Sequence, residues 1–94
     1  MPAMLNRGDR AIIRDGVMFN RVGDEIVLLD LDAGTYLGLD AVGSRFWELL
    51  AADRTVGDAV DAMLEEYEVS RVDLESDLDR FIGELEKNNL IRAK

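Results

Sequence analysis

The sequence predicts an α+β domain, a small antiparallel sheet followed by three helices. Three observations carry this. Residues 17–39 hold strand-forming runs separated by short turn signals. Residues 41–87 hold three apolar stripes at helical spacing. Each stripe is preceded by a residue type that caps helices: Asp40, Thr55 and Ser70.

Residues 1–12 have no period and contain the only proline and the first glycine, so they read as a poorly ordered lead-in. Val17–Val22 and Glu25–Leu31 follow as strands, split by Gly23-Asp24, a two-residue hairpin signal with glycine at the first central position. "DAG" at Asp32–Gly34 makes a second turn and Thr35–Leu39 a third strand, completing an antiparallel meander. The middle run, "IVLLDL", is apolar at nearly every position, which predicts cover on both of its faces.

"TYLGLD" then runs almost without a loop into "AVGSRFWELL", a helix from Ala41 to about Ala51 with Val42, Phe46, Leu49 and Leu50 in its stripe. Thr55 with Asp58 forms a capping-box-like start for a second helix, whose stripe of Val56, Val60, Met63, Leu64 and Tyr67 carries it to about Tyr67. Ser70 with Asp73 repeats the signal for the third, with Leu74, Leu78, Phe81, Ile82 and Leu85. Asn88-Asn89 is its stop, because asparagine tolerates the left-handed conformation that ends helices. Leu90 and Ile91 return to the core as a short extended tail. The order β-β-β-α-α-α, with a short link between the last two helices, describes one winged-helix-like domain over residues 1–94.

Composition narrows the function. Apolar residues make up 48% and charged residues 33%, the balance of an ordinary globular chain. No run approaches the ~20 apolar residues that cross a bilayer, and "MPAMLNRGDR" lacks a signal peptide's apolar stretch, so a cytoplasmic location is expected. Histidine and cysteine are absent, which removes thiol nucleophiles, disulfides and the usual zinc ligands. "DLDAG" at 30–34 lacks the later ligands of a calcium loop and reads as a turn. No cofactor site and no self-sufficient enzyme are expected.

Net charge is −9; residues 1–22 carry four arginines against two aspartates (+2), leaving −11 for the remainder. The third helix, which would enter the major groove in a DNA-binding relative of this architecture, carries three basic and six acidic residues over 71–88. Nucleic acid and anionic membrane are therefore disfavoured partners.

The ordered series "VLLDLDAGTYLGLDAVGSRFWELL", "RTVGDAVDAMLEEY" and "DLDRFIGELEKNNLI" resembles the PqqD family of peptide chaperones, the precursor-peptide recognition elements of ribosomal-peptide modification pathways. The resemblance spans roughly residues 17 to 92 and rests on Leu39-Asp40, Phe46-Trp47, Thr55-Val56, Phe81-Ile82 with Leu85, and Leu90-Ile91. Asp40 stands where the family more usually has asparagine, and Asn88-Asn89 where it has glycine; both replacements keep the local geometry.

The resemblance implies a non-catalytic module that binds the leader segment of a precursor peptide. The module would present it to a modifying enzyme such as a radical-SAM protein, a cyclase or a leader protease, in a quinone-cofactor (PQQ), lasso-peptide or other pathway. The leader would add as an antiparallel strand to the edge Thr35, Tyr36, Leu37, Gly38 and Leu39. Gly38 would let a second backbone approach, or simply kink the strand. The third helix would form the facing wall through Leu74, Asp77, Leu78 and Phe81, the opposite border being Glu75, Ile82 and Glu86. Two other readings stand beside this one: a winged-helix DNA-binding regulator, and an accessory subunit whose edge pairs with a larger enzyme.

Overall fold

The computed structural model describes residues 6–93. The elements are β1 (Ala11–Ile13), β2 (Val17–Val22), β3 (Glu25–Asp30), β4 (Thr35–Leu39), α1 (Ala41–Ala51), α2 (Val56–Glu66), α3 (Arg71–Lys87) and β5 (Ile91–Ala93). β2, β3 and β4 form the expected meander, in that order. β1 and β5 form a separate antiparallel pair, Ala11 opposite Ala93 and Ile13 opposite Ile91.

Local chemistry explains the boundaries. Gly23 takes φ +66° and closes a two-residue turn between Val22 and Glu25. Asp40, Thr55 and Ser70 each accept a hydrogen bond from the backbone N–H three residues on, at Gly43, Asp58 and Asp73. α3 ends with Asn89 at φ +60°, the Leu90 N–H donating to the Leu85 carbonyl at 2.9 Å and the Asn89 N–H to that of Glu86 at 2.9 Å. This is a Schellman stop, and Leu85 and Leu90 are both buried beside it. Asp53, at φ +64°, ends α1 by the same device, which the sequence analysis did not assign.

The core lies between the inner face of the sheet and the helices. Ile26, Leu28 and Leu39 meet Phe46, Trp47, Leu50, Val60, Met63, Leu78, Ile82 and Leu85 there, all nearly inaccessible to water. Phe46 and Trp47, adjacent on α1, are both fully buried.

Three expectations change. The lead-in over residues 1–12 does not extend as a whole: its first five residues lie outside the described ones, while Arg7 and Asp9 are engaged with α2. Their carbonyls accept from the first N–H groups of α2, Gly57 to Arg7 at 2.7 Å and Val56 to Asp9 at 2.9 Å. Gly57 lets this segment approach closely, since a Cβ there would stand 3.1 Å from the Arg7 oxygen, tighter than ordinary contact. Second, β3 is covered on one face only. Residues opposite one another share a face, so Met18, Val22, Val27, Leu29 and Tyr36 lie on the outer side, where Met18, Val22 and Tyr36 are exposed. Val27 and Leu29 are half-buried on that side. Third, Val42 belongs to the first turn of α1 but is open to solvent rather than part of the core.

Candidate functional site

The register of the meander determines which backbone groups of β4 are free. Val22 and Glu25 flank a two-residue turn and therefore exchange hydrogen bonds, and in an antiparallel ladder such pairs alternate. Glu25, Val27 and Leu29 thus direct N–H and C=O toward β2, and Ile26, Leu28 and Asp30 toward β4. Their partners Leu39, Leu37 and Thr35 point inward in return. Tyr36 and Gly38 are left with N–H and C=O directed away from the sheet, and among the described residues neither donates or accepts there.

An independent contact fixes the same alternation. The Ile26 N–H, facing β4, donates to Ser44 Oγ at 2.7 Å, and that hydroxyl donates to the Leu39 carbonyl at 3.3 Å. A side chain from α1 thereby completes the last rung of the β3–β4 ladder. The abrupt passage from β4 through Asp40 into α1 brings Ser44 to that position, and it anchors the end of the edge strand to the helices.

Gly38 has ordinary strand geometry, and a Cβ built on it meets nothing within 4 Å. Neither a positive φ nor local crowding requires glycine here, although glycine weakens a strand. The residue leaves open space at the middle of the free edge.

Two cavities open beside β4. One, of about 360 Å³, lies past its C-terminal end, between the start of α1 and α3; Val42, Gly43, Leu78 and Phe81 line it, with Asp77 and Glu84 at its rim. The other, of about 300 Å³, lies at the N-terminal end of β4 against the end of α3, lined by Leu28, Asp30, Leu37, Asn88 and Leu90. α3 therefore runs antiparallel to β4, with one cavity toward each end of the strand.

The nine residues expected at the site divide. Asp77, Leu78 and Phe81 line the first cavity; Thr35, Tyr36 and Leu37 line the second. Gly38 lies on the edge between them. Leu39 is buried, with its backbone turned inward. Leu74 lines neither cavity and is core, one turn of α3 too far toward the N-terminus. The opposite border of α3 faces α2 and the N-terminal segment: Glu75 and Ile82 share a small hollow with Arg7, Val56 and Val60, and Arg7 and Arg71 both pair with Glu75.

Phe81 is held from two sides. Its ring meets that of Phe46 edge-on, centroids 6.1 Å apart, and lies near Gly43, where a Cβ would stand 3.6 Å from the ring, an ordinary contact. Its remaining surface looks into the first cavity.

A clamp that the sequence reading did not assign holds the turn that leads into β4. Arg14, from the β1–β2 link, pairs with the buried Asp30 at 2.6 Å and with Asp32 at 2.7 Å. The second Asp30 oxygen accepts from the N–H groups of Asp32 and Ala33 in the β3–β4 turn. The Arg14 hydrogen bond, seconded by Ala33, holds the Asp30 carboxyl below its ordinary range, and Asp30 in turn raises Arg14. The signal available in sequence was an aspartate at a position whose alternation demands burial.

Comparison with known proteins bears on this site. The family model for coenzyme PQQ synthesis protein D (PqqD) matches residues 25–91. Curated proteins give no match. Among solved structures, TbiB1 in complex with the TbiA(beta) leader peptide is 45% identical, with 85% of this chain and 93% of that one covered and a TM-score of 0.81. Lasso peptide synthetase B1 complexed with the leader peptide has the same fold at 24% identity, covering 88% of this chain and 98% of that one, with a TM-score of 0.80.

Proposed function

Because the chain belongs to the PqqD family, we propose that it binds the leader segment of a ribosomally made precursor peptide and presents it to a modifying enzyme. The leader adds to β4 as an antiparallel strand and lays alternate side chains into the cavities beside α3. The observation that carries this reading is the pair of outward-facing backbone groups at Tyr36 and Gly38, placed between two cavities. An unpaired edge invites aggregation unless something covers it, and a peptide strand satisfies its donors and acceptors. A relative 45% identical over most of both chains is bound to a leader peptide, which supports the same ligand class here.

The module performs no chemistry of its own in this reading; a radical-SAM protein, cyclase or leader protease acts on the peptide it holds. A lasso precursor is the first ligand to test, since one structure of this fold is a lasso peptide synthetase component. DNA binding is the weaker reading, as α3 carries three more acidic than basic residues over 71–88.

The test is an NMR titration with a leader peptide, the TbiA(beta) leader first and then precursors encoded beside this chain. Amides of β4 and of the Asp77–Glu84 stretch should shift more than those of β2. The β2 edge is the control, being the other open side of the same sheet. Largest shifts on β2 would displace the site, and binding of duplex DNA without any peptide binding would replace the function.

A further inference from the structure

The two cavities differ in chemistry, and the register of β4 orders them along a bound strand. We infer that the peptide carries a lysine or arginine two or four positions before an apolar residue, the cation entering the Phe81 cavity and the apolar side chain the Leu37–Leu90 cavity. The inference rests on the peptide-binding reading above and specifies its ligand.

The order follows from strand geometry. In an antiparallel addition, the peptide residue paired with Gly38 precedes the one paired with Tyr36 by two. The residue between them lies opposite Leu37 and projects to the same side of the sheet as Leu37, toward the second cavity. Side chains on that face recur every second residue. The next positions toward the peptide's amino terminus lie opposite Leu39 and beyond it, which is where the first cavity opens. An even spacing, with the Phe81 cavity filled first, is thereby required.

The chemistry follows from what is already paired. The first cavity has an apolar floor of Val42, Leu78 and Phe81 under a rim of Asp40, Asp77 and Glu84. Its one basic residue, Arg80, is bonded to Asp77 at 2.9 Å, and the Asp40 carboxylate accepts from the Gly43 N–H at 2.7 Å. Glu84 forms no ion pair among the described residues. One basic and three acidic groups leave the cavity net anionic by two. A long cationic side chain suits this combination: its methylenes cover the apolar floor, and its charge reaches Glu84 and the Asp77 oxygen that Arg80 leaves open. An acidic residue would be repelled there, and a short apolar one would leave the rim unanswered.

The second cavity also contains a carboxylate, yet it offers no such charge. Both Asp30 oxygens are consumed, one by Arg14 and the other by the turn amides. What remains open to a ligand is mainly the half-buried Leu37, with Leu28 and Leu90 packed beneath it, a surface that fits an apolar side chain.

The experiment is a selection of random twelve-residue peptides displayed on their own mRNA. One arm uses the full chain, and the other an Asp77→Lys, Glu84→Lys variant checked for folding by circular dichroism. Both substituted residues are exposed on α3, so the fold should survive. The full chain should enrich lysine or arginine two or four positions ahead of an apolar residue, and the variant should enrich aspartate or glutamate at that same position. A selected peptide with its cation replaced by glutamate should bind about three- to tenfold more weakly, the scale of two partly screened rim pairs. A neutral or aromatic preference shared by both proteins overturns the cation assignment. Cations enriched only after the apolar residue overturn the order. Recovery of no peptide removes the peptide-binding reading itself.

Discussion

The hydroxyl of Ser44 accepts the backbone N–H of Ile26 at 2.7 Å, in a position fully closed to water. Helix α1 thus supplies one rung of the sheet. Replacing Ser44 by alanine leaves that N–H buried without a partner, which should cost about 1–3 kcal/mol. Urea unfolding measures the loss, and exchange of the Ile26 amide should accelerate before that of the rest of the core. Unchanged stability would mean that water or the Leu39 carbonyl takes over the bond.

The alternation of β4 predicts opposite outcomes for neighbouring prolines. Gly38→Pro removes a donor that faces outward, so the sheet should survive while affinity for a leader peptide falls at least tenfold. Leu37→Pro removes a donor that faces β3 and should disrupt the meander. Circular dichroism and peptide titration of both variants separate the cases; a folded Leu37→Pro protein with an unfolded Gly38→Pro protein would reverse the assigned register.

Phe81 and Ile82 are adjacent on α3 and differ in burial: Ile82 is fully enclosed, Phe81 only in part. Ile82→Ala should cost ~2–5 kcal/mol of stability and affect peptide binding only through the folded fraction. Phe81→Ala should cost less stability and lower affinity at least tenfold, about 1.4 kcal/mol. Normal binding by Phe81→Ala, once corrected for unfolding, would take this ring out of the site.

Asp30 makes stability depend on acid. Its native pKa lies below the ordinary value of 3.8, so the stabilisation it provides is fully present above that value. It is lost as pH falls through the depressed native value. Asp30→Asn should therefore melt earlier than the unaltered protein near neutrality, and the difference should shrink as pH is lowered below about 4. Melting temperatures of both proteins between pH 7 and 2 test the sign. A gap that widens in acid would contradict the Arg14 pairing.

What could be read from the sequence was mostly what neighbouring residues decide. The three caps, the Gly23 turn and the Asn89 stop each depend on a few consecutive residues, and each appears where its local chemistry places it. Long-range pairings left no such trace. Ala11–Ile13 is too short to show a period, and its partner is at the other end of the chain. The apolar outer positions of β3 misled, because Val27 and Leu29 are half-covered by cross-strand neighbours rather than by a second layer. At the site, spacing on α3 grouped Asp77, Leu78 and Phe81 on one border. It gave no means of excluding Leu74, since a stripe's direction is visible in sequence but the point where it meets a neighbour is not.

The β1–β5 pair places Ala11 directly opposite Ala93, a separation of about 4.5–5.5 Å in an antiparallel ladder. Each of these strands has the other as its only ladder partner among the described residues, so neither can form alone. The chain reaches β1 from residues already bonded to the start of α2 and reaches β5 from the stop of α3, so this seam ties two helices together at once. A contact between segments so distant in sequence forms late, after the elements between them have folded, and it closes the domain as its last act.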